Sequence, residues 1–85
     1  MPPTSKTRTG ELLKQHFAET SISQSTVSKE MGVARPYLNR VIGGSELPSA
    51  KWLDTVALGL GLTDAQRIAL HRAAARDHGF EIDLN

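Results

Sequence analysis

Apolar residues recur three and four positions apart along most of the chain, the spacing that lines one side of an α-helix. Leu12, Leu13 and Phe17 form such a stripe over 10–19, with Thr9 placed to cap it. Val27 and Met31 stand four apart in a second run, 24–31. Ser23 precedes it, and its hydroxyl can accept one of the amide N–H groups that a helix start leaves without a partner. A third run, 35–42, carries Leu38 and Val41; Pro36 falls in its first turn, where a missing N–H costs nothing. A fourth, 50–60, turns Trp52, Leu53, Val56, Ala57 and Leu60 inward behind Ser49. Thr63-Asp64-Ala65-Gln66 has the form of a capping box and predicts a fifth helix to about residue 78. Gly32, Gly43-Gly44, Pro48 and Gly61 punctuate the runs where helices must stop.

The last residues break this pattern. Phe80, Ile82 and Leu84 alternate with Glu81 and Asp83, a period of two that predicts a short strand. A lone strand is not stable, so it needs a second subunit's tail, the protein's own helices or a partner protein to cover it. The expectation is therefore an all-α domain of five short helices. A flexible polar arm covers 1–8, the helical domain 9–78, and a tail, a candidate dimerisation strand, 79–85.

Composition narrows the function. Eighty-five residues fit one domain with a modest core, and no catalytic or sensing partner domain is expected within them. There is no cysteine, so disulfides and thiolate metal sites are excluded. No apolar run approaches the roughly 18 residues of a membrane span, and the N-terminus lacks the apolar stretch of a secretory signal; a cytoplasmic protein is expected. The net charge of +1 is unevenly spread. Residues 1–51 carry seven Lys/Arg against four acids, and residues 52–85 three Arg against five acids. The basic part coincides with the segment that can meet nucleic acid.

That segment has the parts of a DNA-reading element. The reading helix must be held at a fixed angle by a second helix, and Val27, Met31, Leu38 and Val41 are placed to form that interface. The turn between the helices must be tight, which Gly32 permits. The exposed face must offer groups that bond base edges, and Arg35, Asn39 and Arg40 do so.

The stretch from Gln24 through Gly32-Val33 to Val41-Ile42-Gly43-Gly44, followed by Leu47-Pro48-Ser49, resembles the lambda-repressor-like (XRE or Cro-type) helix-turn-helix family over about residues 9–62. The resemblance implies that Gln24, first in the second helix, bonds a backbone phosphate and buttresses the first reading residue. It implies that Arg35, Pro36 and Arg40 occupy reading positions, with Tyr37 and Asn39 between them facing the groove or its flanking phosphates. Ser25 joins Gln24 as a backbone contact, and Gly43, Gly44 and Ser45 lie where the family meets phosphate. Ser28 departs from the family's usual alanine at the helix–helix contact. Ala34 stands where a capping Ser or Thr is common. Pro36 can read a base only through apolar contact.

Other groups are assigned bland roles. Trp52 is expected in or beside the core. His16, His71 and His78 have neither a close pair nor a Cys partner, so they read as solvated and no metal is expected. Asp77, Glu81 and Asp83 read as solvated tail. No nucleophile–base motif or phosphate-cradling loop occurs, so neither an enzyme nor a cofactor is expected.

The sequence is thus read as a dimeric transcriptional regulator, a repressor of phage, mobile-element or bacterial origin, binding double-stranded DNA at a palindromic operator. Two copies are expected because one reading helix spans only a few base pairs. Ile68, Phe80, Ile82 and Leu84 are the candidate dimer residues. The alternative is an antitoxin-like protein whose C-terminal tail docks a partner protein while the chain regulates its own transcription through DNA.

Overall fold

A computed structural model describes the backbone of residues 7–83 and the side chains of residues 7–78. It contains five α-helices: α1 (Arg8–Thr20), α2 (Gln24–Met31), α3 (Arg35–Gly43), α4 (Ala50–Leu60) and α5 (Asp64–Asp83). Most begin where a side chain accepts an amide of the first turn. Thr7, Ser23 and Ser49 accept from Gly10, Thr26 and Trp52 at 3.0, 3.0 and 3.1 Å. The capping box closes as expected, with Thr63 N–H donating to Gln66 Oε1 at 2.8 Å and Gln66 N–H to Thr63 Oγ1 at 3.1 Å. Behind Ala34, α3 has no side-chain cap and relies on Pro36 in its first turn.

The core follows from the packing of α1 on α3 and α5, α2 on α3 and α4, and α4 on α5. Leu13, Val27, Leu38, Leu53, Val56 and Leu70 are fully buried where these helices meet. Each contributes about 1.5–3 kcal/mol by leaving water. Gly59 lets α4 approach α2 closely, since a Cβ there would lie 2.6 Å from Met31 Cγ.

Three expectations are corrected. First, α1 starts at Arg8 with Thr7 as its cap, not at residue 10 behind Thr9. Thr9 is instead fully buried, with Leu13 and His16 completing the buried side of α1, while Leu12 and Phe17 are only partly covered. Most of the expected arm, residues 1–6, lies outside the described residues.

Second, the C-terminal segment is not a strand: α5 runs on through residues 79–83. A helix satisfies its backbone groups within itself, whereas a strand needs a neighbour to bond, and the period of two covers too few residues to outweigh this. Leu84 lies outside the described residues, as do the side chains of Phe80 and Ile82.

Third, Asp77 and His16 are not solvated. The Asp77 carboxylate accepts from Arg8 N–H at 3.1 Å, Thr9 N–H at 3.0 Å and Thr9 Oγ1 at 2.6 Å, so a residue of α5 caps the start of α1. His16 is 7% exposed, its ring nitrogens make no hydrogen bond, and Nδ1 lies 3.8 Å from Glu19 Oε1. His71 is half-buried and paired with Asp54, while His78 is exposed as expected.

Candidate nucleic-acid interface

The candidate reading helix, α3, is held by what it buries. Leu38, Val41 and Ile42 of α3 are buried, Val27 of α2 is fully buried, and Met31 packs partly covered against the same cluster. Between the helices the chain turns at Gly32, whose φ of +69° is left-handed and strains any residue with a Cβ. Ser28 adds a bond that the sequence did not foretell: its hydroxyl donates to Val33 O at 2.6 Å, tying α2 to the carbonyl of the turn. An alanine there would leave that carbonyl without this partner.

With one side of α3 buried, the other is left to solvent. Arg35, Pro36, Asn39, Arg40 and Gly43 are all exposed, at positions that repeat with the helical period and so form one continuous face. The base-reading candidates therefore lie together.

The two arginines of this face differ in their ties. Arg35 donates from Nη1 to Ser25 Oγ at 2.6 Å, which braces the guanidinium against the first turn of α2 and leaves its other N–H donors unspent. Ser25 is thus a positioning group for Arg35. Beside it, Gln24 is half-buried with Oε1 buried and unbonded, so its NH2 is the end that a ligand can reach.

Arg40 is turned back on the protein. Its guanidinium lies 5.7 Å from the Tyr37 ring centroid, and Nε is 3.9 Å from Glu46 Oε1. Tyr37 in turn meets Trp52 edge to face, centroids 5.2 Å apart. Trp52, Tyr37, Arg40 and Glu46 form a row running from the core edge to the loop after α3. Tyr37 is half-buried in that row and not free in the groove face. No periodic signal marks Glu46 as Arg40's partner, because it lies in a loop.

The loop after α3 is closed by a two-bond cap. Gly44 N–H donates to Val41 O at 3.1 Å and Ser45 N–H to Arg40 O at 2.9 Å. Those two amides are spent on the helix end, and the exposed Ser45 hydroxyl also donates to Arg40 O, at 3.3 Å.

Elsewhere, Asp54 of α4 pairs with α5, accepting from His71 Nε2 at 2.7 Å and Arg67 Nη1 at 3.2 Å. These bonds, that of His71 foremost, hold its carboxyl below the usual range. Ile68 beside this cluster is 45% exposed, and Leu58, one turn from Asp54 on α4, is 74% exposed. Among the described residues no three His, Asp or Glu side chains are grouped to hold a metal ion. Among the same residues no helix is long and apolar enough to cross a membrane.

In sequence, the chain is 34% identical over 53 residues to the ImmF control region 10 kDa protein of Bacillus phage phi105. The match covers 62% of this chain and 59% of that protein. No protein-family model matches the chain, and no solved structure does. The protein is an all-helical domain similar to a phage control-region protein.

Proposed function

We propose that this protein is a sequence-specific regulator of transcription that binds double-stranded DNA, with α3 in the major groove, Arg35, Pro36 and Asn39 toward the bases, and Arg40, which lies against Tyr37 and Glu46 in the free protein, turning to a flanking phosphate. The observation that carries the reading is the exposed face of α3, which begins at an arginine already braced by Ser25. A guanidinium held in place loses less freedom when it forms the paired bonds that recognise guanine O6 and N7. Gln24 and the Ser45 hydroxyl serve the phosphates on either side and fix the register of the helix. The similarity to a phage control-region protein supports a regulatory role. One reading helix spans only a few base pairs, so the reading takes the protein as a repressor acting as two copies on a two-fold-symmetric site.

Selection of bound duplexes from a random pool tests this directly. A recovered motif with two-fold symmetry, bound in preference to scrambled duplex at every salt concentration, is the expected result. Equal affinity for selected and scrambled DNA throughout a salt series would refute it, since phosphate contacts alone discriminate nothing.

A further inference from the structure

Two sets of the described cations contrast, with Lys29 and Lys51, exposed and without a side-chain bond among the described residues, outside both. Arg35, Arg40 and Arg67 are engaged by Ser25, Glu46 and Asp54. Arg8, Lys14, Arg72 and Arg76 have no side-chain bond or ion pair among the described residues, and all four line one groove between α1 and α5, of about 650 Å³. Its floor is apolar, with Leu12 and alanines, and Glu11 is the one acid among its lining residues. A surface with an apolar floor and unpaired cations on both walls suits an acidic segment that also carries apolar side chains.

Such a segment exists in the chain itself. Residues 80–85, Phe-Glu-Ile-Asp-Leu-Asn, alternate apolar and acidic. The helix α5 that leads into them is charge-segregated: residues 67–76 hold three Arg and no acid, residues 77–83 three acids and no Lys or Arg. Acids in the last turn of α5, where no basic residue stands, oppose the negative end of the helix dipole. Within one molecule α5 cannot fold back on itself. Beyond Asp77, which marks the start of α1, it continues to Asp83, about 9 Å at the rise of a helix.

We propose that the groove between α1 and α5 receives the acidic C-terminal end, residues 80–85, of a second copy. Antiparallel pairing of the two α5 helices carries the acidic end of each onto the basic stretch of the other, and two-fold symmetry makes the exchange reciprocal. The cations relieve the unfavourable charge at the helix ends, and apolar side chains of the incoming end cover the apolar floor. The proposal rests on the two-copy reading above but on nothing in α3.

Charge exchange in the full chain tests it, read by sedimentation without DNA and with helical content followed by circular dichroism. The wild type should dimerise. Arg72→Glu with Arg76→Glu, and separately Glu81→Lys with Asp83→Lys, should each lower the association constant about tenfold or more, from like charges brought together. The four changes combined should restore it. A monomeric wild type, a dimer indifferent to either pair of changes, or no recovery in the combined variant would overturn the proposal. So would loss of DNA affinity with an intact dimer in Arg72→Glu/Arg76→Glu, which would make the groove a phosphate site. Operator binding is measured apart, so a failed dimer and a failed base reading remain distinguishable.

Discussion

Asp77 and Thr9, 68 residues apart, are joined by two hydrogen bonds to a single carboxylate oxygen, one from the Thr9 amide and one from its hydroxyl. Thr9 is fully buried, so neither donor can turn to water if the carboxylate is lost. Asp77→Ala should therefore destabilise the fold by about 1–3 kcal/mol, the cost of leaving buried donors unpaired. Urea denaturation checks it. Removing the hydroxyl as well, in Thr9→Val with Asp77→Ala, should cost less than the sum of the single changes.

Arg35 and Gln24 should separate by what they change, not by how much. Arg35→Ala is expected to cost about 1–3 kcal/mol of DNA binding and to relax preference at one base pair. Gln24→Ala should weaken all sequences by a similar factor and leave the selected motif intact. Repeating the duplex selection with each variant decides between the roles. An unchanged motif for Arg35→Ala would remove it from the bases.

Glu46 should act against binding. Its carboxylate holds Arg40 toward the loop, and its own charge would face the phosphates. Glu46→Ala is expected to tighten DNA binding about two- to fivefold, the scale of an exposed ion pair, and to do so for every sequence. The slope of affinity against salt should steepen by about one unit as Arg40 gains a phosphate. Arg40→Ala should abolish the effect of Glu46→Ala, which a double-mutant cycle will read.

Asp54 should confer a stability that depends on acid. Its carboxyl titrates below its ordinary value of 3.8 in the folded protein because His71 and Arg67 bond the ionised form. The depressed value means that the stabilisation is present above the unfolded carboxyl range and is lost as pH falls through the folded value. Wild type and Asp54→Asn should thus differ in urea midpoint at pH 5–6 and converge below about pH 4, the ordinary range for the group. The cluster is exposed, so high salt should also narrow the gap.

What the sequence disclosed was whatever repeats with the helical period or follows a local rule. Ser23, Ser49 and the Thr63–Gln66 box mark their helices because each cap spans only three residues. Val27, Leu38 and Val41 announce their burial because a helix must face its apolar side somewhere. The clamp from Asp77 was hidden, since an acid near a chain's end looks the same whether it meets water or another helix's start. Glu46 beside Arg40 was hidden for a related reason: a loop has no period. The C-terminal alternation misled because five residues of pattern say nothing about whether a strand has a neighbour. At the reading face, Arg35 was legible from its place in the motif, but its brace by Ser25 is a contact between two helices and appears only once they are packed.

The row from Trp52 to Glu46 also gives the protein an optical reporter. Trp52 is the only tryptophan in the chain, and the ring of Tyr37, one step from Arg40, lies against it. Light absorbed by Tyr37 can pass to Trp52 over so short a distance, and the emission colour of a half-buried indole follows the water and charge around it. On the proposed reading, DNA draws Arg40 from Glu46 to a phosphate, which shifts a cation relative to the Tyr37 ring and so alters the charge around that row. Seating of α3 on DNA, as proposed, should therefore change the fluorescence of an unmodified side chain, so that docking can be timed without attaching a dye.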